Sequence, residues 1–315
     1  MARRHTFILL IFKTFFIMKK LFFMAVAALL INSCTKESIN EVSNPQTEQN
    51  ALVPVKVHVD GFSVAQEDFP LTRAAQDVVD YNGVKAITLA FYSGSTETYK
   101  HEQVRGALEE GDTFGEFECA LPMGSYTMVV LANGKDTDDA LVLTSPTAAE
   151  YTGAHTRETF AATQAVNITN TNAVDISATL NRIVAKLSVY SSDGRTANAT
   201  NIRMTFAEGG KAFNPTTGLA TSNIGFAHTG GFSSAVGATT GSSTYVFLAS
   251  DEQEMDVTIE TLDADGAVLF SKTVENVPFK RNRVTKLTGA MYTNDALSGA
   301  FQLNTTWLTD YNGAF

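Results

Sequence analysis

The side chains that could do chemistry in this chain are few and scattered. His5, His58, His101, His155 and His228 are its five histidines, and no two of them stand at a metal-ligand spacing. No nucleophile elbow, phosphate loop or dinucleotide fingerprint occurs. Asp136-Thr137-Asp138-Asp139 offers three carboxylates in a run, as a calcium loop would. It lacks the glycine and closing glutamate of an EF-hand and reads as a solvated turn. Glu109-Glu110 and the Glu116/Glu118 pair could supply the two acids of a glycosidase. Adjacent and alternate positions on a short acidic strand read instead as a solvated face. Cys119 lies in Phe117-Glu118-Cys119-Ala120-Leu121, where apolar and polar residues alternate, so it reads as a small hydrophobe on a strand and not as a nucleophile. Tyr92, Tyr99, Tyr151, Tyr245, Trp307 and Tyr311 are candidates for a sugar platform. The single tryptophan alternates with Phe301 and Leu303, a pattern better suited to filling a core or a groove. The sequence therefore predicts no catalytic residue, no metal site and no cofactor; the chain is not read as an enzyme.

One cysteine stands in a different context. From Met18 the chain reads MKKLFFMAVAALLINSC, with two lysines, an apolar run from Leu21 to Ile31, and small Ser33 before Cys34. This is the order of a secretory signal, and its ending on cysteine resembles a bacterial lipoprotein signal. That resemblance implies a diacylglycerol on the Cys34 thiol and cleavage before it, leaving residues 1–33 as signal peptide. Residues 1–17 read as an upstream mis-assigned start, with Met18 the true one, and not as a second span, because Lys13, Lys19 and Lys20 break up any run of about 20 apolar residues. An ordinary soluble signal and a short retained anchor helix are the other readings of this segment. Lys36-Glu37 resembles the surface-export signal of Bacteroidetes lipoproteins, and polar, aperiodic residues 34–51 read as a tether.

Charge agrees with this division. The 315 residues hold 23 Lys+Arg and 33 Asp+Glu, a formal charge of −10. Arg3, Arg4, Lys13, Lys19 and Lys20 all fall in the first 33 residues, which have no acid, so the remainder has 18 basic and 33 acidic groups. So acidic a body is a poor partner for nucleic acid, which binds through neutralised phosphates.

The elements that must position any site are strands. Val53, Val55, Val57 and Val59 alternate with Pro54, Lys56, His58 and Asp60; Ile183, Ala185, Leu187 and Val189 do likewise; Phe301, Leu303, Thr305 and Trp307 repeat the pattern near the end. Further strands are expected at 86–93, 97–105, 126–132, 200–206, 244–249 and 256–262, with a hairpin at Asp265-Gly266. Residues 77–84 and 145–152 could each hold a helical turn or two. The Gly-, Ser-, Ala- and Thr-rich stretch 225–243 reads as a long loop. Strand spacing favours an all-β chain of two β-sandwich domains, 52–180 and 181–315, the second including the terminal strand.

Several landmarks in order resemble the fimbrillin superfamily of Bacteroidales, the lipoprotein-derived pilins of major and minor fimbriae. After the signal come Leu71-Thr72-Arg73-Ala74, then Leu121-Pro122-Met123-Gly124-Ser125-Tyr126 and Ala132-Asn133-Gly134. Leu180-Asn181-Arg182-Ile183-Val184-Ala185-Lys186-Leu187-Ser188-Val189 follows, and then Val277-Pro278-Phe279-Lys280-Arg281-Asn282-Arg283-Val284-Thr285-Lys286-Leu287-Thr288-Gly289 before the terminal run with Trp307. The resemblance covers most of residues 18–310. It implies transthyretin-like sandwiches, and polymerisation by strand exchange after an Arg-specific protease cuts between Arg73 and Ala74. Such a cut discards the run Val53–Val59. Four fully buried valines contribute roughly 6–12 kcal/mol, against a total stability of about 5–15 kcal/mol. The emptied groove would need another strand, with Phe301, Leu303 and Trp307 as donor candidates. The implied partners are other fimbrial subunits, the outer membrane through the lipid on Cys34, and the processing protease; the implied location is the cell surface or fimbrium. A lipid-retaining anchor subunit and a surface glycan-binding lipoprotein are the alternative functions.

Overall fold

The computed structural model describes residues 51–63, 77–78, 80–135, 140–293 and 302–304, the last three and Ser63 by their backbone alone. The described residues are all-β and contain no helix, as the alternation predicts. In chain order the strands are β1 Leu52–Ser63, β2 Ala86–Ser93, β3 Thr96–Val104, β4 Glu116–Pro122, β5 Gly124–Asn133, β6 Leu141–Ser145, β7 Ala148–Tyr151, β8 Thr159–Ile168 and β9 Val174–Arg182. There follow β10 Ala185–Ser191, β11 Asn201–Phe206, β12 Ala212–Asn214, β13 Leu219–Ala220, β14 Phe226–Gly231, β15 Gly241–Val246, β16 Glu252–Leu262, β17 Val268–Lys280, β18 Val284–Gly289 and β19 Gln302–Asn304.

Seven of the first nine strands, all but β6 and β7, build a sandwich from one folded-over sheet of order β3-β2-β5-β8-β9-β1-β4. Its crease lies between β8 and β9, which pair only at Phe160↔Arg182 and Ala161↔Asn181 and then part into two layers. Ile87, Leu89 and Phe91 of β2, with Met128 and Val130 of β5, meet Val53–Val59 of β1 and Ile176, Ala178 and Leu180 of β9 in a single buried core. Both faces of β2 and β5 are covered, which is why they read as near-continuous apolar runs. Their outer face, with Ala90, Tyr92, Val129 and Leu131, packs in a separate cluster with Tyr151, Ile183, Val184, Phe213 and Phe247. A small sheet of order β13-β12-β7-β6 supplies part of that cover, joining a hairpin from before β9 to one from after it.

Beyond Ala185 two four-stranded sheets, β15-β10-β18-β19 and β14-β11-β16-β17, enclose a third core that includes Leu187, Met204, Phe206, Val257, Ile259 and Phe279. Between β16 and β17, Asp263 caps the turn by accepting from the Asp265 and Ala267 amides at 3.0 and 2.8 Å, and Gly266 takes a φ of 84°. The hairpin signal at Asp265-Gly266 is thus borne out.

Two local expectations fail. Residues 145–152 form no helical turn: they lie in the β6–β7 hairpin, whose reversal at Pro146-Thr147 follows from the proline and its Ser145–Thr147 contact. The stretch 225–243 is not all loop, because β14 pairs with β11 and β15 with β10 along its two ends. Its small residues disguise strands whose stability comes from backbone pairing more than from side-chain burial. Residues 77–84 do hold a single turn, closed by the Tyr81 amide on the Asp77 carbonyl.

Candidate strand-exchange site

β1 occupies the middle of a three-strand layer. It runs antiparallel to β4 from Leu52↔Pro122 to His58↔Glu116, and parallel to β9 from Val55↔Val174 to Ser63↔Asn181. β4 has no other strand neighbour among the described residues, and β9 has otherwise only its short pairing with β8. One face of β1 is apolar and sealed: Val53, Val55, Val57 and Val59 are each no more than 2% exposed. The register then slips between Val59 and Gly61, so that the alternation breaks and Phe62, an even-numbered residue, is fully buried next to buried Gly61. A glycine inside an alternating strand is the signal that could have announced this bulge and the extra core residue beyond it.

The outer face is charged. Lys56 Nζ lies 2.8 Å from Glu118 Oε1 on β4, and on the other side its backbone partner is Asp175 of β9. The hydrogen bond to Glu118 and that carboxylate's charge, with smaller contributions from Asp175 and Glu116, hold the Lys56 ammonium above its usual range. His58 contacts Glu116 and stands 3.3 Å from Asp60. Glu116 and Glu118 therefore form the solvated acidic face expected of them, paired across the strand to β1.

At its far end β1 abuts a polar network. The Phe62 ring lies 4.9 Å from Phe160 and 5.6 Å from Tyr81 between centroids. The Arg182 guanidinium sits 5.3 Å from the Phe160 centroid and 2.5 Å from Glu158 Oε1, with both charged side chains largely buried. The Tyr81 hydroxyl donates to the same Glu158 oxygen at 2.7 Å; burial, and then this bond, push the phenol pKa upward. Arg182 also donates to Asn282 Oδ1 at 3.1 Å, and Asn282 adopts a φ of 59° in the β17–β18 turn. Two of the sequence landmarks, around Arg182 and Asn282, thus meet a hundred residues apart; nothing local in either segment announces the contact.

Other predicted residues fall as follows. Cys34, Arg73, Ala74, Phe301 and Trp307 lie outside the described residues, as do 136–139 and Tyr311. Leu303 is placed by its backbone opposite Leu287, in β19 at the edge of the sheet. Cys119 is half-buried on β4 opposite Val55, and burial pushes its thiol up to about 11. The sugar-platform candidates are corrected in part: Tyr92 and Tyr151 are core residues, 0% and 2% exposed, because both faces of their sheet are covered. His155 and His228, distant in sequence, hydrogen-bond through their Nδ1 atoms at 2.7 Å. Among the described residues no three His, Cys, Asp or Glu side chains converge as metal ligands would.

A family model described as "Family of unknown function (DUF6562)" matches residues 49–311, from the start of β1 to beyond β19. The chain belongs to this family. No curated protein matches the chain. Among solved structures, this DUF6562 chain is similar to the fimbrial anchor protein Mfa2 from Porphyromonas gingivalis, at 11% identity and a TM-score of 0.48, covering 80% of this chain and 95% of that one. It is similar to a candidate adhesin from Bacteroides ovatus at 12% identity and a TM-score of 0.49, covering 81% and 94%. It is also similar to a candidate polysaccharide-binding protein from Bacteroides thetaiotaomicron at 13% identity and a TM-score of 0.47, covering 80% and 96%.

Proposed function

We propose that this DUF6562 protein is a structural subunit of a bacterial fimbria, exported as a lipoprotein on Cys34 and assembled at the cell surface by strand exchange, contributing to adhesion. The observation that carries the reading is the place of β1. An N-terminal strand, joined to the rest of the chain through the segment containing Arg73, is the middle strand of a layer in which it is the one described partner of β4 and the main partner of β9. Cleavage between Arg73 and Ala74 by an Arg-specific protease severs β1 from its sandwich. Its departure opens a lane between β4 and β9 lined by Phe117, Leu121, Ile176, Ala178 and Leu180. Unpaired backbone along both walls and an uncovered core make a strand from another subunit the natural occupant. Phe301, Leu303 and Trp307, in the alternating C-terminal segment, are the residues this chain would lend to a neighbour. In this reading the two sandwiches, 52–180 and 181–315, have separate tasks: the first accepts a strand and the second carries the segment that is donated.

Mass spectrometry of the cell-surface form tests the proposal. An N-terminus at Ala74 is the expected result. An acylated Cys34 on the assembled protein would replace it with the lipid-retaining anchor, a role favoured by one observation: with β1 seated, the first sandwich is already complete.

A further inference from the structure

The lane that β1 fills is apolar within but acidic along its outer rim. On β4, Glu116 and Glu118 are exposed; on β9, Asp175 is exposed. Glu118 and Asp175 are the two cross-strand partners of one residue, Lys56, so a single cation stands between two carboxylates on the same rung. Glu116 faces His58 one rung further on. When β1 leaves, it takes Lys56 with it, and the three carboxylates remain on either side of an empty strand position. The β4 and β9 carboxylates then stand two strand spacings, about 10 Å, apart, and an occupant without a cation restores the backbone pairing but leaves them without the counter-charge that Lys56 supplied.

The chain's own C-terminal segment does not supply the charge. With Phe301, Leu303, Thr305 and Trp307 in the inward places of Val53, Val55, Val57 and Val59, the outward residues are Gln302, Asn304, Thr306 and Leu308. Asn304 then occupies the Lys56 rung, and the only charged residue in 300–315 is Asp310. We infer that the strand accepted by this lane comes from a different protein, one that alternates apolar residues with a lysine or arginine at the Lys56 rung, and not from a second copy of this chain. Electrostatic complementarity at the rim would thereby select the neighbour and disfavour a homopolymer, while the apolar pockets supply most of the affinity. The inference rests on the strand-exchange reading and adds the chemistry of the partner to it.

The test uses the full chain with a sequence-specific protease site inserted between residues 64 and 73. The chain is cut in place, and fluorescence anisotropy then follows exchange of a labelled synthetic copy of residues 52–63. Competing peptides are the unlabelled copy, its Lys56→Gln form, residues 300–315, and residues 300–315 carrying Asn304→Lys. Each basic peptide is expected to compete about three- to tenfold better than its neutral counterpart at about 0.1 M salt. That advantage should shrink at about 1 M salt, where the screening length falls from roughly 10 to 3 Å. It should also vanish in a Glu118→Gln/Asp175→Asn acceptor. Equal competition by neutral and basic peptides would overturn the inference and leave the exchangeable lane standing. Failure of even the unlabelled copy of residues 52–63 to exchange would overturn the strand-exchange reading and this inference together.

Discussion

Among the described residues, the first and last strands are attached in opposite ways. β1 is twelve residues long, sits between two partners and buries a continuous apolar face. β19 is three residues long and, among the described residues, pairs only with β18, from Lys286↔Asn304 to Thr288↔Gln302. A terminal strand at an edge leaves an intact sheet behind when it is removed. A terminal strand in the middle of a layer leaves two separated strands and an exposed core. These two strands therefore differ in what their departure does to the fold, and that asymmetry is what the strand-exchange proposal requires.

The comparison breaks most readily by deletion. Removing residues 52–63 should cost roughly 6–12 kcal/mol through the valines alone, enough to unfold the first sandwich. Removing the chain from 302 onward should change the stability of the folded protein by about 1 kcal/mol. Hydrogen exchange on the two truncated proteins would show it: protection lost along β4 and β9 in the first and kept throughout both sandwiches in the second. Equal losses would mean that β1 is not the keystone of its layer.

Point substitutions sharpen the same contrast. Phe62→Ala should destabilise by about 3–5 kcal/mol in urea unfolding, because it empties the aromatic cluster with Tyr81 and Phe160. Val268→Ala, on an edge strand and 48% exposed, should stay within about 0.5 kcal/mol. Arg182→Ala should cost about 3 kcal/mol, since it strands the Glu158 carboxylate with only the Tyr81 hydroxyl beside it.

In the second sandwich, Asp193 ties the chain after β18 by accepting from the amides of Met291, Tyr292 and Thr293 at 2.8, 2.9 and 3.0 Å. Burial pushes its carboxyl up, but these bonds and the Thr293 hydroxyl outweigh that, so it lies below the ordinary value of 3.8. A carboxyl lowered by folding stabilises above its unfolded value and loses that contribution as pH falls toward its folded one. Asp193→Asn should therefore cost about 1 kcal/mol at neutral pH, with allowance for solvent screening, and the gap from the native chain should close below about pH 4.

The smallest perturbation leaves the structure untouched. With its thiol raised to about 11 against an ordinary 9.0, Cys119 should hold on the order of a hundredfold less thiolate at pH 8 than an unburied cysteine. Alkylation followed by peptide mapping should thus be slow at Cys119 while β1 covers it from the Val55 position, and should accelerate when β1 is cut free and displaced.

Much of this was legible in the residues. Ala86–Ser93 appears as a strand with the bounds its apolar run predicts, and Val53–Val59 all face inward as their period of two requires. The helical turn expected in 145–152 and the loop expected in 225–243 failed for one shared reason: small residues and short hairpins leave no hydrophobic period to read. Phe62 was missed because the bulge at Gly61 breaks the alternation that identified its neighbours. Glu118 could be read as an exposed acid, but not as one side of a rung whose other side is Asp175.

The sequence by itself determined the local facts: an all-β chain, which residues of each strand are apolar, where many of the turns fall, and that charge resides in the body as excess acid. Those depend on neighbours within a few positions, where side-chain alternation and backbone preference act. Only the tertiary structure decided that β1 lies between β4 and β9, that a hairpin from each half joins into one sheet, and that Arg182 reaches Asn282. Pairing partners are chosen among all free strand edges in the chain, through long-range burial and hydrogen bonding, and no short window of residues records that choice.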